Sequence, residues 1–400
     1  MSDLPEVPAD DAPIIAAVAD APAPVEPPMA AEVTAPLPVC PVTDDFLPPQ
    51  LRKHVDPKAP VPLRMMAAKT LVPLTPPDML GALFMLTFDP DAGVRATAVK
   101  TAGNLPDRIL ATAFREERIK GPVLAYFLDV FWRNDAYAEM LILNAGTPDE
   151  AVAEVAAKCG VKTAEIIAQN QLRLLRYDDI VRKLCTNPSA VGALIDGVCD
   201  FAVRSGLQLL EVPQMKAARV RLFGPEAAET PPDPGPTAED ILNEFKEEMA
   251  EEGAPPMAEG KRMTLSQRIM RMSISEKIKL ATKGNKEARS ILIRDSNKLV
   301  AVAVIRSPRI TDGEVLLQAN NKTANDEVLR IIYRDREWVK QYTIKLALVK
   351  NPKVPQAISM KFLMTLQEAD LKGLARSKNV PGSVQLLAKK TMEKKEGPKR

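Results

Sequence analysis

Across residues 63–224 and 262–392 the apolar positions return with the period of an α-helix, and strand-type alternation is missing. Leu, Ala and Val supply the apolar stripes, Lys and Arg the polar faces. Breakers cut the pattern into short pieces, which predicts many short helices rather than a few long ones. Trp338, Tyr342, Leu346 and Val349 form one stripe at helical spacing and read as core. Between the two stretches lies a different text, TAEDILNEFKEEMAEEG over 237–253. Thr237 suits an N-cap before Ala238, Glu239 and Asp240. Ile241, Leu242, Phe245 and Met249 share one face, and glutamates fill the other. So short a helix is not stable alone, so it must dock or fray.

Corners of related composition separate the predicted helices. In the C-terminal stretch they are Lys283-Gly284-Asn285-Lys286, Arg306-Ser307-Pro308-Arg309, Ala319-Asn320-Asn321-Lys322, Lys350-Asn351-Pro352-Lys353 and Arg376-Ser377-Lys378-Asn379. Asp89-Pro90-Asp91, Gly103-Asn104-Leu105-Pro106, Asn144-Ala145-Gly146-Thr147-Pro148 and Thr186-Asn187-Pro188 punctuate the N-terminal stretch more loosely. Asn and a following Pro suit helix ends, and Thr, Asp and an early Pro suit helix starts. Helix, tight corner and second helix make an internal repeat.

The segment DPDAGVRATAVKTAG resembles the HEAT-type signature, in which an Asp-Pro corner opens a helix carrying Val-Arg-x-x-Ala. VAVAVIRSPRITDGEVL and IKLALVKNPKVPQAISMKFL resemble leucine-rich-repeat-variant units with their Asn-Pro corner. The resemblance covers most of 63–224 and 262–392. It implies an all-α helical-repeat superhelix, elongated and right-handed, because each helix pair buries its inner stripe only against stacked neighbours. Some leucine-rich-repeat-variant proteins carry an N-terminal iron–sulfur cluster on grouped cysteines. Cys40 stands alone here, so no cluster or other cofactor is expected.

Charge refines the layout. Residues 1–62 hold 3 basic and 10 acidic groups and 15 of the 36 prolines. They read as a disordered Pro/Ala-rich arm. Residues 63–224, the N-terminal block, are near neutral at +1, and 225–260 carry −10. Residues 261–400 carry 31 basic and 13 acidic groups, a net of +18. The expected organisation is therefore an arm (1–62), a helical block (63–224), an acidic flexible linker with one amphipathic helix (225–261), a basic helical block (262–392) and a basic tail (393–400). The linker's polarity predicts two independently folding blocks. Its eleven acids also predict docking of the 225–260 segment on the basic block of the same chain.

Few residues are suited to catalysis. His54 is the one histidine, which excludes a Ser-His-Asp triad and an HExxH zinc site. Cys40, Cys159, Cys185 and Cys199 show no CxxC spacing and read as reduced thiols in a cytoplasmic protein, with no metal site. No phosphate loop, dinucleotide fingerprint or GxSxG is present. No apolar run approaches the roughly 20 residues needed to span a membrane. Helical-repeat DNA glycosylases place a Trp and an Asp beside a flipped base, and Trp132 and Asp135 are near in sequence. Such enzymes need a basic concave face, however, and this block is nearly neutral.

The better candidates are the corner cations Lys283, Lys286, Arg306, Arg309, Lys322, Lys350, Lys353, Arg376 and Lys378. A cation in a last helical turn answers the helix dipole. The second cation of each corner has no such reason, and stacked repeats would align all nine along one edge as a basic ridge. The reading is a non-enzymatic helical-repeat scaffold or adaptor whose ridge binds an acidic protein partner. The alternative is a nucleic-acid-binding protein using the ridge on phosphates, although aromatic residues for stacking bases are scarce there. Ile241, Leu242, Phe245 and Met249 would seat the acidic helix over the ridge and mask it.

Overall fold

The computed structural model describes residues 39–228, 235–250, 264–377 and 380–396, with side chains except at 227–228, 247–250 and 393–396. The arm over 1–38, the linker over 251–263, Lys378, the Met249 side chain and the 397–400 tail lie outside these residues. Everything described is helix, turn or loop, and no strand forms among the described residues.

Helix starts follow the polar punctuation. The Asp91 carboxylate accepts from the Val94 N–H at 2.9 Å, and the Asn285 side chain from Ala288 at 2.9 Å. Thr264 with Gln267 and Thr311 with Glu314 close reciprocal capping boxes. Proline occupies the first turn of Pro76–Leu86, Gly121–Phe131 and Pro213–Phe223, where no intrahelical N–H is lost.

The helices stack on one another, and the order is consistent with a helical-repeat fold. Asp149–Ala156 packs on Gly121–Phe131 and Asp179–Thr186, while Val161–Gln169 packs on Asp135–Leu143. In the C-terminal part Ile274–Lys283, Lys298–Ile305 and Asp326–Arg334 stack in order, and Asp312–Asn320 packs on Tyr342–Lys350. Lys298–Ile305 reads KLVAVAVI and is apolar all round. Val300, Ala303 and Val304 enter one core cluster, and Ala301 and Ile305 enter the next. A helix without a polar face is stable only when covered on both sides. Trp338, Tyr342, Leu346 and Val349 lie in or against the second cluster.

Two expectations are corrected. First, residues 40–62 belong to the fold. Two 3-10 turns, Asp44–Phe46 and Arg52–His54, carry Val42, Leu47 and Val55 into the core. A Cβ on Gly81 would stand 2.5 Å from the Phe46 ring, so that helix needs glycine there. His54 is buried, its Nδ1 donating to the Leu63 carbonyl at 3.2 Å. Short 3-10 turns tolerate prolines that would break a long helix.

Second, the two blocks do not have separate cores. One cluster of buried side chains runs from Val42 to Val304, and Cys40–Arg400 forms one compact unit. Ile274–Lys283 packs on Gln171–Arg176. The Ser275 N–H donates to the Ser205 carbonyl at 3.1 Å, and Lys279 reaches Asp178 at 3.5 Å. Gly206, at φ +81°, lets the chains touch; a Cβ there would lie 2.5 Å from that of Ser273. The linker's charge could not reveal this, because the blocks meet through apolar faces on either side of it.

The acidic helix forms as Ala238–Ala250 and docks. Thr237 and Asp240 bond reciprocally at its start. Ile241 is fully buried, and Leu242 and Phe245 pack half-buried against the core. The Ala238 N–H donates to Glu276 at 2.8 Å, and Arg268 pairs with Glu244. Among the described residues no helix is long and apolar enough to cross a membrane.

Candidate functional site

The corners at Asn144, Asn187, Ser307 and Asn351 are each built on a side chain that folds back on its own turn and reaches an earlier corner. The Asn351 amide donates to the Ala319 and Asn321 carbonyls at 2.9 and 3.0 Å, while its oxygen accepts from the Lys353 N–H at 3.0 Å. Asn144 makes the same set with Phe114, Glu116 and Gly146, and Asn187 with Ala156, Cys159 and Ser189. The Ser307 hydroxyl donates to the Thr282 carbonyl at 3.2 Å. The asparagines are buried, so each amide satisfies carbonyls that would otherwise lose water unpaired.

Buried arginines add a second set of ties. Arg173 donates to the Asn144 and Thr147 carbonyls at 2.7 and 2.8 Å and pairs with Asp149, which also holds Arg176. Burial lowers the Arg173 guanidinium, Asp149 supports its charge, and Arg176 and Arg306 oppose it. Arg289 forms a two-point pair with Glu314 at 2.9 and 3.0 Å.

Against this frame seven of the eight described cations fall into two groups rather than one ridge. Corner direction alternates along the chain, a point their similar sequences conceal. Arg309 and Lys322 stand at opposite ends of Asp312–Asn320, about 13 Å of helix apart. Lys283, Lys286, Arg306 and Arg309 share one end, where Arg309 donates to the Lys283 carbonyl at 2.8 Å. Lys322, Lys350 and Lys353 share the other, where Lys353 donates to the Ala324 carbonyl at 2.8 Å and meets Asp326 at 3.3 Å. Arg376 ends a later helix, Glu368–Arg376. Thus Arg309 and Lys353, the second cations of their corners, tie each corner to its predecessor. Lys283, Lys286, Arg306, Lys322, Lys350 and Arg376 are exposed and make no ion pair among the described residues. The docked acidic helix bonds to Arg268 on Leu265–Arg271 and to Glu276 at the start of the helix that finishes at Lys283, and none of the eight described cations takes part.

A groove of about 1010 Å³ opens on the same part of the molecule, between Lys286–Leu292, Asp312–Asn320 and Asp326–Arg334. Leu317, two-thirds exposed, gives it an apolar spot. Lys353 with Asp326 and Arg330 with Glu327 are internal pairs on its lining. Arg294 and Lys298 are exposed there and make no ion pair among the described residues.

The other sequence candidates are engaged structurally. Trp132 lies under Arg133 and Lys158, at 4.4 and 5.1 Å from its ring centre, and Asp135 accepts from the Thr163 hydroxyl at 3.0 Å. Among the described residues no three His, Cys, Asp or Glu side chains are placed to hold a metal. Two arrangements escaped the sequence reading. Cys185 and Cys199 bring their sulfurs to 3.7 Å, and Arg118 meets Glu337 across most of the chain. Neither has a local signal, since each depends on how helices stack. In comparison with known proteins, the chain matches no family model, no curated protein and no solved structure.

Proposed function

We propose that this chain is a non-enzymatic helical-repeat scaffold that holds an acidic, extended segment of a protein partner along its C-terminal helices. One observation carries the reading: Lys283, Lys286, Arg306, Lys322 and Lys350 are exposed and without ion pairs among the described residues, while Arg309 and Lys353 beside them are committed to joining the corners. The bonded corners fix the spacing of the free cations, so charge is presented from a rigid frame rather than from mobile loops. Arg294, Lys298 and the exposed Leu317 offer a mixed charged and apolar lining for such a segment. Complementary charge raises association rate and selectivity more than affinity. A cytoplasmic site of action belongs to the same proposal.

The test is fluorescence anisotropy on the full chain with an Asp/Glu-rich peptide carrying one leucine, against random-sequence duplex DNA, over a salt series. The expected result is peptide binding that Lys283→Glu with Arg306→Glu, or Lys322→Glu with Lys298→Glu, weakens. DNA binding with a steep salt slope and no peptide binding would replace this reading with phosphate recognition. Binding of neither at low salt would overturn both.

A further inference from the structure

Cys185 and Cys199 lie 14 positions apart, on Asp179–Thr186 and Gly192–Arg204, with their sulfurs 3.7 Å apart. The corner between these helices is held firmly. Asn187 bonds to the Ala156 and Cys159 carbonyls, and Gln214 donates to the Cys185 carbonyl at 3.2 Å. The frame thus presents two thiols side by side, and neither sulfur makes another hydrogen bond among those described. Cys185 is half-buried, whereas Cys199 is fully buried.

We propose that Cys185 and Cys199 form a redox-active dithiol that a hydroperoxide converts to an intrachain disulfide. The Cys185 sulfur, as thiolate, attacks one oxygen of the peroxide and breaks the O–O bond. This gives a sulfenic acid at Cys185 and an alkoxide or hydroxide, which takes up the proton Cys185 gave. The Cys199 sulfur then displaces the sulfenic oxygen, which leaves as water with the Cys199 proton. Two electrons pass from the two thiols to the peroxide, and the atoms balance. The sulfurs must close from 3.7 Å to a bond of about 2.05 Å, a movement on the scale of side-chain rotation.

The difference in burial sets the order of events. The hydrogen bond shared with Cys199 holds the Cys185 thiol below its usual value, against the effect of burial. The same bond, then burial, pushes Cys199 well above its usual range. Cys185, the less buried of the two, is the sulfur that meets the oxidant, and Cys199 is the one that resolves it. The remaining cysteines are not competitors of this kind. Cys159 is fully buried and pushed up to about 11, mainly by burial. Cys40 is raised by burial and donates to the Val42 carbonyl at 3.4 Å.

The experiment treats the full chain with hydrogen peroxide and reads free thiols and peptide masses without reduction. Trypsin leaves both cysteines on one peptide, Leu184–Arg204. That peptide should lose two hydrogen atoms and stay joined after a further cut at Asp196. Free thiols should fall from four to two, and dithiothreitol should restore them. In Cys199→Ser the sulfenic acid should persist at Cys185 and be trapped by dimedone. Sulfenic or sulfinic acid accumulating at Cys185 in the unaltered chain without the link would overturn the proposal. Loss of Cys40 alone, or links only between chains, would do the same.

Discussion

Arg118 and Glu337, 219 positions apart, meet at 2.5 Å. The neighbouring residues repeat the arrangement with signs exchanged, Arg336 reaching Glu116 at 3.7 Å. A turn near the start of the first block is thereby clasped to a turn deep in the second. All four side chains are at least partly exposed, so salt screens the clasp. Glu337→Arg should weaken the tie, and the exchange Arg118→Glu with Glu337→Arg should restore it, read as coupling between denaturation midpoints. The coupling should be present at low salt and absent at high salt; a salt-independent value would mean the turns meet for another reason. Lys340 and Arg118 hold the Glu337 carboxyl below its ordinary value. The contribution is therefore present at neutral pH and fades as pH falls through that lowered value.

Asn351 and Asn321 occupy the same kind of corner but differ in what they reach. Asn351→Ala removes two bonds to the preceding repeat and leaves buried carbonyls unpaired, a loss of about 2–3 kcal/mol. Asn321→Ala removes only bonds within its own turn and should cost under about 1 kcal/mol. Urea unfolding of both variants measures the difference. Equal losses would deny the tie between repeats its special weight.

The Arg289–Glu314 pair should make this region acid-labile. Burial raises the Glu314 carboxyl, but hydrogen bonds from Arg289 and Thr311 outweigh it, and the net shift is downward. A carboxylate lowered in the folded state stabilises above its unfolded pKa and loses that contribution as pH falls through the folded value. Glu314→Gln should therefore cost about 3 kcal/mol at neutral pH and flatten the acid limb of a stability profile. An unchanged acid limb would place the sensitivity elsewhere.

Ile241 anchors the acidic helix. Ile241→Ala should loosen it at a cost of about 2–4 kcal/mol to its docking. Trypsin should then cut after Lys246 sooner than in the unaltered chain. Unchanged protection of that bond would show that the ion pair of Arg268 with Glu244 holds the helix without it.

Helices and corners were legible because their signals are local. Asn285, Asn297, Thr311 and Asn325 each cap a helix where the text places a short polar residue. The apolar face of Ile241, Leu242 and Phe245 was legible for the same reason. What escaped reading depends on stacking. Lys353 looks like a spare cation until the Ala324 carbonyl lies beneath it. Arg173 and Arg289 look like surface residues in sequence, yet both are buried against carboxylates many residues away. The shared core was hidden by a linker whose composition describes the linker alone. The alternation of corner direction was hidden because both kinds of corner use the same residues.

The seat of Ile274–Lys283 on Gln171–Arg176 also changes how the chain can grow. A simple stack of repeats has two ends. Here the second block joins the first at an interior helix, while the first block runs on through Gly192–Arg204 to Pro213–Phe223, where Phe223 stands 62 % exposed. A further helix pair grafted after Phe223 would therefore extend the first block without passing through the seat of Ile274–Lys283, because that seat lies on a helix earlier in the chain.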